Sequence, residues 1–500
     1  MRQPFTTAWM LLVGLAIVLP WVNPFTWGPD PAMIQGLLSG LGAVVVVCCG
    51  AWGAQPAKTI AHTMATAWLL AALLSAVAGL LQYFGLADVR TAPWINAADL
   101  GQAYANLRQR NQFASLTSLG LLSLLYLAGE HAGAGRRRLR LGAIALALVL
   151  LALGNAASSS RTGALQWVLI VGLSLLWERN GQRLTLRWSA LALGLYLVAA
   201  LLLPNISSPD ILGGGPSLGV LERFQENAGC GDRKVLWHNV AELIAQKPWL
   251  GWGWGGLKFA HFIHPYQGER FCEILDNAHN LPLHLAVALG LPLALLLCAA
   301  VVGAVAWAKP WRETQTARQL AWAGLAVLGL HSLLEYPLWY GPFQMAVGLC
   351  LWLLWTTRRA QPLHASPLLA TVLTAGAACA LPLLAYASWD YARVSQLFLP
   401  PTLRAEAYRE DTLEKVRGSW LFRSEVLFAE VTTTPPTPDN AEALYAAALE
   451  TLHFSPEPKV IAALLESARL LGRENAITQR IRAQALVAYP KETEPESNPL

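Results

Sequence analysis

Charged residues are scarce in this chain of 500 amino acids. Asp, Glu, Lys and Arg make up 13% of it, about half their share in a typical soluble domain, and 55% of the residues are hydrophobic. This composition excludes an ordinary soluble protein and predicts a polytopic membrane protein. Short segments of alternating polarity are also missing, which excludes a membrane β-barrel.

Long apolar runs, by contrast, recur along the first 390 positions. About 20 apolar residues suffice to cross a hydrocarbon core as a helix. The sequence therefore predicts an all-α fold with about eleven transmembrane helices, near residues 5–22, 32–52, 60–86, 112–128, 141–155, 164–177, 188–204, 281–308, 319–335, 343–357 and 367–388.

The basic residues predict how the chain crosses the bilayer. With the N-terminus in the cytoplasm, the inside loops collect the basic side chains that the positive-inside rule requires. These are Lys58, Arg136, Arg137, Arg138, Arg140, Arg179, Arg183, Arg187, Lys309, Arg312, Arg318, Arg358 and Arg359. The outer, periplasmic face then receives residues 87–111, a large loop of about 205–280 and everything after about 389.

This orientation divides the chain into two predicted domains. Residues 1–388 form a transmembrane domain, which includes the large periplasmic loop. Residues 389–500 form a periplasmic helical domain of repeat-like character, because apolar residues recur there three and four positions apart.

Cysteines are few, seven in all, and no Cys/His spacing is typical of a zinc site, so no metal or other cofactor is expected. Five of them lie within the apolar runs. Cys230 and Cys272 both lie in the large outer loop, and a periplasmic environment permits disulfides. We predict that these two cysteines pair.

Three arginines lie on the side of the membrane where positive charge is not needed for topology, namely Arg110, Arg161 and Arg233. Two interpretations stay open. Each guanidinium can reach a lipid phosphate or a nearby carboxylate. Alternatively, the three converge on one outer cavity, where their fork-shaped donors suit a pyrophosphate.

A polar cluster, DNAHN at 276–280, directly precedes an apolar run. Asn277 and Asn280 are good helix-capping residues, so His279 can be a neighbour of a helix cap and nothing more. However, a helix start needs one such residue, and four polar side chains occur within five positions. A neutral histidine is the usual side chain for taking a proton from a hydroxyl, so His279 is the candidate general base.

These segments resemble a known family. RKVLWHNVAELIAQKPWLGWGWGGL and DNAHNLPLHLAVALGLP are similar to the signature loop of the O-antigen ligase superfamily, and more closely to its protein O-oligosaccharyltransferase branch, the pilin-glycosylation ligase type. QRNQFAS at 109–115, SSSRTG at 158–163 and HSLLEYPLWYGPF at 331–343 extend the resemblance over most of the membrane part. Gln112 stands where the family often has His.

The resemblance implies a GT-C-like enzyme of the bacterial inner membrane, whose active site faces the periplasm. It implies an inverting, metal-independent transfer of a preassembled glycan from undecaprenyl pyrophosphate to Ser or Thr hydroxyls of pilin-like or other periplasmic proteins. The expected partners are this lipid-linked oligosaccharide, the acceptor protein and the bilayer, and no nucleic acid.

Roles for individual residues follow from the matching motifs. His279 is expected to be the catalytic base, and Arg161 and Arg233 are expected to hold the pyrophosphate as its charge grows. Arg110 is a further candidate for the phosphate or the first sugars. Asn111, Asn277 and Asn280 are expected to support the site.

Two interpretations stay open for several other polar and aromatic residues. His331 and Glu335 lie four apart on one helical face, where they bind a substrate group or fasten one helix to another. Trp249, Trp252 and Trp254 stack on sugar rings or belong to an interfacial aromatic belt.

Alternative functions also fit part of the sequence. The same chemistry serves ligation of O-antigen to the lipid A core, or polymerisation of O-antigen units. A transporter or flippase of lipid-linked sugars is a different class, but the polar residues cluster on the outer face and do not form a relay through the membrane. A non-enzymatic scaffold leaves the outer arginines and the DNAHN cluster unexplained.

Overall fold

The computed structural model describes residues 2–26, 28–52, 55–88, 91–130, 137–178, 183–206, 229–358 and 366–490. Within these ranges the chain forms nineteen α-helices and no β-strand, which confirms the predicted all-α class. The part of the predicted outer loop at 207–228 lies outside the described residues.

The first half of the chain folds into long helices with short connections. They are α1 (Arg2–Val22), α2 (Pro31–Trp52), α3 (Ala57–Tyr83), α4 (Arg110–Glu130), α5 (Arg137–Ala157), α6 (Arg161–Glu178) and α7 (Arg183–Ile206).

The second half alternates short and long helices. They are α8 (Arg233–Gln246), α9 (Leu257–Ile263), α10 (Leu281–Leu289), α11 (Leu291–Ala308), α12 (Thr316–Leu334), α13 (Gly341–Thr356), α14 (Pro367–Val394), α15 (Thr412–Val416), α16 (Arg423–Thr433), α17 (Ala441–Phe454), α18 (Pro458–Leu470) and α19 (Ala476–Ala488).

The chain is a multi-pass membrane protein. Seven helices in the described ranges are long and apolar enough to cross a bilayer, and two shorter apolar helices accompany them, at Thr7–Val22 and Gly341–Thr356. Ten of the eleven predicted runs each fall on one helix. The seven long spans are Pro31–Ala51, Ala57–Tyr83, Arg110–Gly129, Arg138–Ala157, Thr185–Ile206, Leu291–Arg312 and Pro367–Phe398.

One predicted span is wrong in its extent. The run at 281–308 is two helices, because α10 ends at Leu289 and α11 begins at Leu291. Gly290 separates them with a φ of +85°, a conformation that glycine adopts without steric cost. The candidate span therefore begins at Leu291, and α10 lies before it.

The described residues fall into two compact units. The first takes in Met1–Thr26, Asp30–Glu226 and Val305–Tyr386, and the second takes in Trp27–Pro29, Asn227–Ala304 and Ala387–Leu500.

The first unit is a bundle with α3 at its centre. Trp68 of α3 is fully buried, and α1, α4 and α5 pack around this helix. Small residues allow the close approach, since a Cβ atom added at Gly120 of α4 would lie 2.4 Å from the Cβ of Ala72. Packing of small residues is the usual way for helices to associate in lipid, where no hydrophobic force drives them together.

The second unit has two apolar cores. One joins α8 to α10 through Leu236, Val240 and Val287. The other joins the tail helices α17, α18 and α19, and Phe262 of α9 belongs to it with an exposed fraction of 1%. The tail helices therefore share a core with the segment that links α8 to α10.

Candidate functional site

Arg110 and Arg161 each begin a helix, α4 and α6 respectively. The Ser160 hydroxyl accepts a hydrogen bond from the backbone N–H of Gly163 at 3.0 Å, as a helix cap does. The same hydroxyl donates to Oδ1 of Asn111 at 2.6 Å. The two helix starts are thus tied together by the residues next to the arginines, so Arg110 and Arg161 lie at the same end of the first unit.

His331 and Glu335 both bond to α4. The amide of Asn111 donates to Oε1 of Glu335 at 2.9 Å, and Nδ1 of His331 lies 2.8 Å from the hydroxyl of Ser115. That hydroxyl also accepts from the side-chain amide of Gln166 on α6 at 2.6 Å. α12 ends at Leu334 and Glu335 is extended, so the prediction that the two residues share one helical face is wrong. The pair still fastens α12 and the residue after it to α4, and through Asn111 it reaches the start of α6.

Left-handed backbone conformations lie close to the predicted site residues. Six non-glycine residues in the described ranges have a φ near +50°, and three of them are Arg108, Ser159 and His279. The first two lie two residues before Arg110 and Arg161. Such a conformation costs about 1 to 3 kcal/mol and is retained mostly at functional positions.

Arg233 is the first residue of α8, in the second unit. The side chain of Asp232 caps this helix by accepting from the backbone N–H of Lys234 at 3.0 Å. Just before the cap, Cys230 is joined to Cys272 by a disulfide with a Cα–Cα distance of 5.4 Å. This bond holds the start of α8 against the segment that leads to His279.

His279 lies between two polar turns. Its backbone N–H donates to Oδ1 of Asn277 at 3.0 Å, and Oδ1 of Asn280 accepts from the N–H of Leu283 to cap α10. Its own φ is +48°. Asn277 is 3% exposed, and its Nδ2 donor has no hydrogen-bond partner within the described part of the chain. A buried donor of this kind costs about 1 to 3 kcal/mol unless a bound group accepts a hydrogen bond from it.

Trp237 connects Arg233 to His279. Its indole N–H donates to the carbonyl of Ala278 at 3.0 Å, directly before the histidine. Arg233 and Trp237 are four residues apart on α8 and share one face of the helix. The second unit therefore brings Arg233 to the neighbourhood of His279, through a residue that the sequence did not single out.

The predicted site residues thus form two groups, one in each unit. The first contains Arg110, Arg161, Asn111 and Glu335, and the second contains Arg233, His279 and the two asparagines beside it. That Arg161 acts together with Arg233 and His279 stays a prediction. Sequence analysis missed Ser160, Ser115, Gln166 and Trp237, because a lone polar residue in an apolar run carries no signal of its partner.

A buried histidine network holds the outer segment in place. Nε2 of His261 lies 3.1 Å from the carbonyl of Phe271, which can only accept, so this nitrogen donates. Nδ1 then accepts from the Tyr266 hydroxyl at 2.8 Å. Asn239 of α8 accepts from the N–H of Phe271 at 2.8 Å. Burial, and next the charge of Arg270, lower the pKa of His261 to about 3.

We expect His261 to make the free energy of unfolding decrease as the pH falls. Unfolded His261 takes a proton near pH 6.5 and the folded residue only near 3, so the stabilisation is complete above pH 6.5 and is lost as pH falls towards 3. Between pH 7.5 and 5.5 the free energy of unfolding drops by about 1.4 kcal/mol. His261→Gln keeps a donor and an acceptor but does not titrate.

Thermal unfolding of the detergent-solubilised protein at the two pH values measures this effect. The His261→Gln variant should lose part of the pH dependence, and the exposed His238→Ala control should keep it all. An unchanged pH dependence in His261→Gln would remove this histidine as the cause.

An apolar groove of about 900 Å³ runs along the first unit between α2, α13 and the start of α14. Mostly glycine, alanine and valine line the α2 side, with Ser39 among them, and mostly larger apolar side chains line the α13 side, with Gln344 among them. Its lining includes Gly36, Gly40, Ala43, Val47, Met345, Gly348, Leu349, Trp352, Leu369 and Leu373. All three helices are apolar, so hydrocarbon is the chemistry that the groove can accommodate.

Within the described ranges, no group of three or more His, Cys, Asp or Glu side chains is arranged to hold a metal ion.

Three family models match the chain in different parts. Residues 146–298 match "O-Antigen ligase", residues 103–128 match "Protein glycosylation ligase", and residues 319–498 match "Virulence factor membrane-bound polymerase, C-terminal". The first of these ranges contains Arg161, Arg233 and His279, and the second contains Arg110 and Asn111.

A curated relative gives the same indication. The general O-oligosaccharyltransferase of Acinetobacter baylyi is 26% identical over 289 residues, which is 55% of this chain and 47% of the relative. This chain therefore spans about half the length of the curated relative that it matches. No solved structure matches the chain.

The fold and the polar groups define an all-α, multi-pass membrane protein with arginines at helix starts and a histidine beside a helix cap. Parts of the chain are similar to the O-antigen ligase superfamily and to its protein glycosylation ligase branch. This confirms the resemblance that the sequence motifs indicated.

Proposed function

We propose that this protein is an O-linked oligosaccharyltransferase. It moves a preassembled glycan from undecaprenyl pyrophosphate to Ser or Thr hydroxyls of periplasmic or pilin-like proteins, with inversion at the anomeric carbon and without a metal ion. The observation that carries the proposal is His279, held in a left-handed conformation between Asn277 and Asn280 and linked to the helix of Arg233 through Trp237.

In the proposed reaction, the imidazole of His279 takes the proton of the acceptor hydroxyl. The oxygen forms a bond to the anomeric carbon, and the bond from that carbon to the pyrophosphate oxygen breaks. Arg161 and Arg233 stabilise the negative charge that grows on the departing diphosphate, and Arg110 contributes to the same binding. The proton leaves His279 for solvent afterwards, which restores the neutral base.

The polar residues around these groups have supporting roles in this proposal. Asn280 caps α10 and Asn277 orients the backbone of His279. Asn111, with Glu335 as its hydrogen-bond partner, holds the start of α6 through Ser160 and so orients Arg161. His331 fixes the same group of helices through Ser115.

The proposed location is the bacterial inner membrane, with the active site and the C-terminus in the periplasm. The positive-inside pattern supports this orientation. Residues 1–388 then form the transmembrane catalytic domain, and the helical residues 389–500 recruit the acceptor. Their shared core with α9, between Arg233 and His279 in the chain, supports a role close to the reaction.

The test is a transfer assay with the purified full-length protein in lipid nanodiscs. A lipid-linked oligosaccharide and a pilin-like acceptor are incubated with EDTA, and the intact mass of the acceptor is measured. A mass increase by one whole glycan supports the proposal. No increase in mass with an active preparation of donor and acceptor would contradict it.

A second candidate function has support in one comparison. The match of residues 319–498 to the membrane-bound polymerase model favours polymerisation of O-antigen units, or their ligation to the lipid A core. The same assay separates these functions when the protein acceptor is replaced by a second lipid-linked unit or by lipid A core. Transfer to a lipid acceptor alone would favour this alternative.

The apolar groove is the proposed place for the donor's polyprenyl chain. A Cβ atom added at Gly348, which lines the groove, would meet no atom within 4 Å, so Gly348→Leu fills the groove without displacing the backbone. We expect the KM for the full-length donor to rise about tenfold, equivalent to roughly 1.4 kcal/mol of lost contact. A donor analogue with a short lipid should be unaffected.

Gly376→Leu is the matched control for this prediction. Gly376 also lies on a membrane helix with open space around it, but it does not line the groove. Kinetics with both donors measure the effect. Equal KM values in the two variants would place the polyprenyl chain elsewhere.

A further inference from the structure

Three bulky apolar side chains project from the loop at residues 248–254, which links α8 to the turn before α9. Trp249 is 76% exposed, Leu250 is 84% exposed and Trp254 is 64% exposed. Trp252, between them, is different, because its indole N–H donates to the carbonyl of Leu243 at 2.9 Å. The loop therefore keeps Trp252 for its own packing. Trp249 and Trp254 stay largely exposed, and the Trp254 ring also meets the His284 ring of α10 edge-on, at a centroid distance of 5.8 Å.

The 248–254 loop is fastened to the break between α10 and α11. The N–H of Gly253 donates to the carbonyl of Ala288 at 3.0 Å, near the end of α10. The N–H of Leu291, the first residue of α11, donates to the carbonyl of Pro248 at 2.7 Å. Backbone groups that the helix break releases are thus satisfied by the loop.

Glycines in the loop and at the helix break allow the two backbones to come into close contact. A Cβ atom at Gly290 would lie 2.1 Å from the carbonyl oxygen of Trp249, and one at Gly251 would lie 2.5 Å from the carbonyl carbon of Ala288. Both residues also have a positive φ. The position of the loop relative to the first residue of α11 is therefore fixed.

The first residue of α11 is also the end of a candidate membrane span. The span Leu291–Arg312 begins at the residue that bonds to the loop, and it is the most apolar of the seven candidate spans. Its side chains are exposed in the protein, with Leu295 and Leu296 at 65% each. Exposed apolar side chains of this kind are typical of a lipid-facing helix, and the loop is bonded to the first residue of that helix.

We infer that the 248–254 loop is an interfacial anchor, whose Trp249, Leu250 and Trp254 side chains insert into the boundary between headgroups and hydrocarbon. Tryptophan favours this boundary because its ring is apolar and its N–H can reach water. The occupant of this surface is the bilayer itself. The inference does not depend on the proposed transferase activity.

The anchor has a consequence for the polar segment at the other end of α10. This helix has nine residues, so it is about 13 Å long. His279 and Asn280 precede it, and the anchored loop holds its last residues. The distance of His279 from the bilayer boundary is thereby limited to about the length of this short helix and the two residues before it.

Spin labelling in a bilayer tests the anchor. A nitroxide is attached to cysteine in Leu250→Cys, in a protein whose free cysteines are replaced by alanine and whose disulfide is intact. The replaced positions are Cys48, Cys49, Cys298, Cys350 and Cys379. In nanodiscs of phosphatidylglycerol and phosphatidylcholine, we expect collisions with oxygen to exceed those with a water-soluble nickel complex several-fold.

The matched control is Gln267→Cys, an exposed position in the polar part of the same outer segment. There we expect the nickel complex to collide more often than oxygen. Both positions are at the surface, so neither label disturbs a core. If the label at position 250 responds like the label at position 267, the loop faces water and the inference is overturned. The two exposed tryptophans would then be accessible to a soluble ligand such as a glycan.

Discussion

The His279→Asn variant is expected to transfer glycan at least about 100-fold more slowly than the unmodified protein, because general-base catalysis contributes roughly 10² to 10⁴ to a rate. Asparagine is the most informative replacement for His279. It tolerates the left-handed conformation of His279, whose φ is +48°, whereas alanine adds strain to the loss of the base. The asparagine variant removes the imidazole and keeps the backbone.

The loss should fall on kcat, with KM for the lipid-linked donor nearly unchanged, because the base acts on the acceptor hydroxyl in the transition state. Initial rates over a range of donor concentrations measure both constants. His238→Ala is the control, since His238 is an exposed residue of α8 that pairs with Glu242 at 3.2 Å. Full activity in His279→Asn would assign the proton transfer to another group.

The second large effect is expected from Arg161→Lys and Arg233→Lys. Each variant keeps the positive charge but loses the fork of donors that matches two phosphate oxygens. A single preorganised donor at a developing charge contributes about 10² to 10³ to kcat. We therefore expect each lysine variant to lose roughly 100-fold in kcat/KM, with a larger loss for glutamine at the same positions.

Arg482→Lys is the matched control for the arginines. Arg482 lies on the surface of the tail helix α19 and pairs with Glu474 at 3.3 Å, so its replacement should leave the kinetics unchanged. Steady-state rates with the lipid-linked donor measure all of these variants. Unchanged kcat/KM in Arg161→Gln or Arg233→Gln would show that the guanidinium in question does not hold the diphosphate.

The structure changes the interpretation of His331 and Glu335. Sequence analysis left open whether they bind a substrate group or fasten helices. Ser115 and Asn111, their partners on α4, favour the fastening role. Asn111 also bonds to Ser160, which gives the pair an indirect connection to Arg161. A polar residue in a membrane bundle can thus act on a functional group through one intermediate side chain.

The sequence by itself determined the class of protein and the positions of most helices. Hydropathy is a local property, and a run of apolar residues long enough to cross a bilayer must form a helix to satisfy its backbone. The motifs around Arg110, Arg161, Arg233 and His279 were likewise visible, because their polar residues are unusual beside apolar runs.

Only the tertiary structure decided which of these residues meet. Asn111 bonds to a serine 49 positions away and to a glutamate 224 positions away, and no local pattern encodes such a pairing. The break at Gly290 could not be predicted from the sequence for the same reason. The loop whose backbone approaches Gly290 closely lies some 40 residues upstream. Side chains in a membrane bundle find partners by packing, and packing depends on the whole fold.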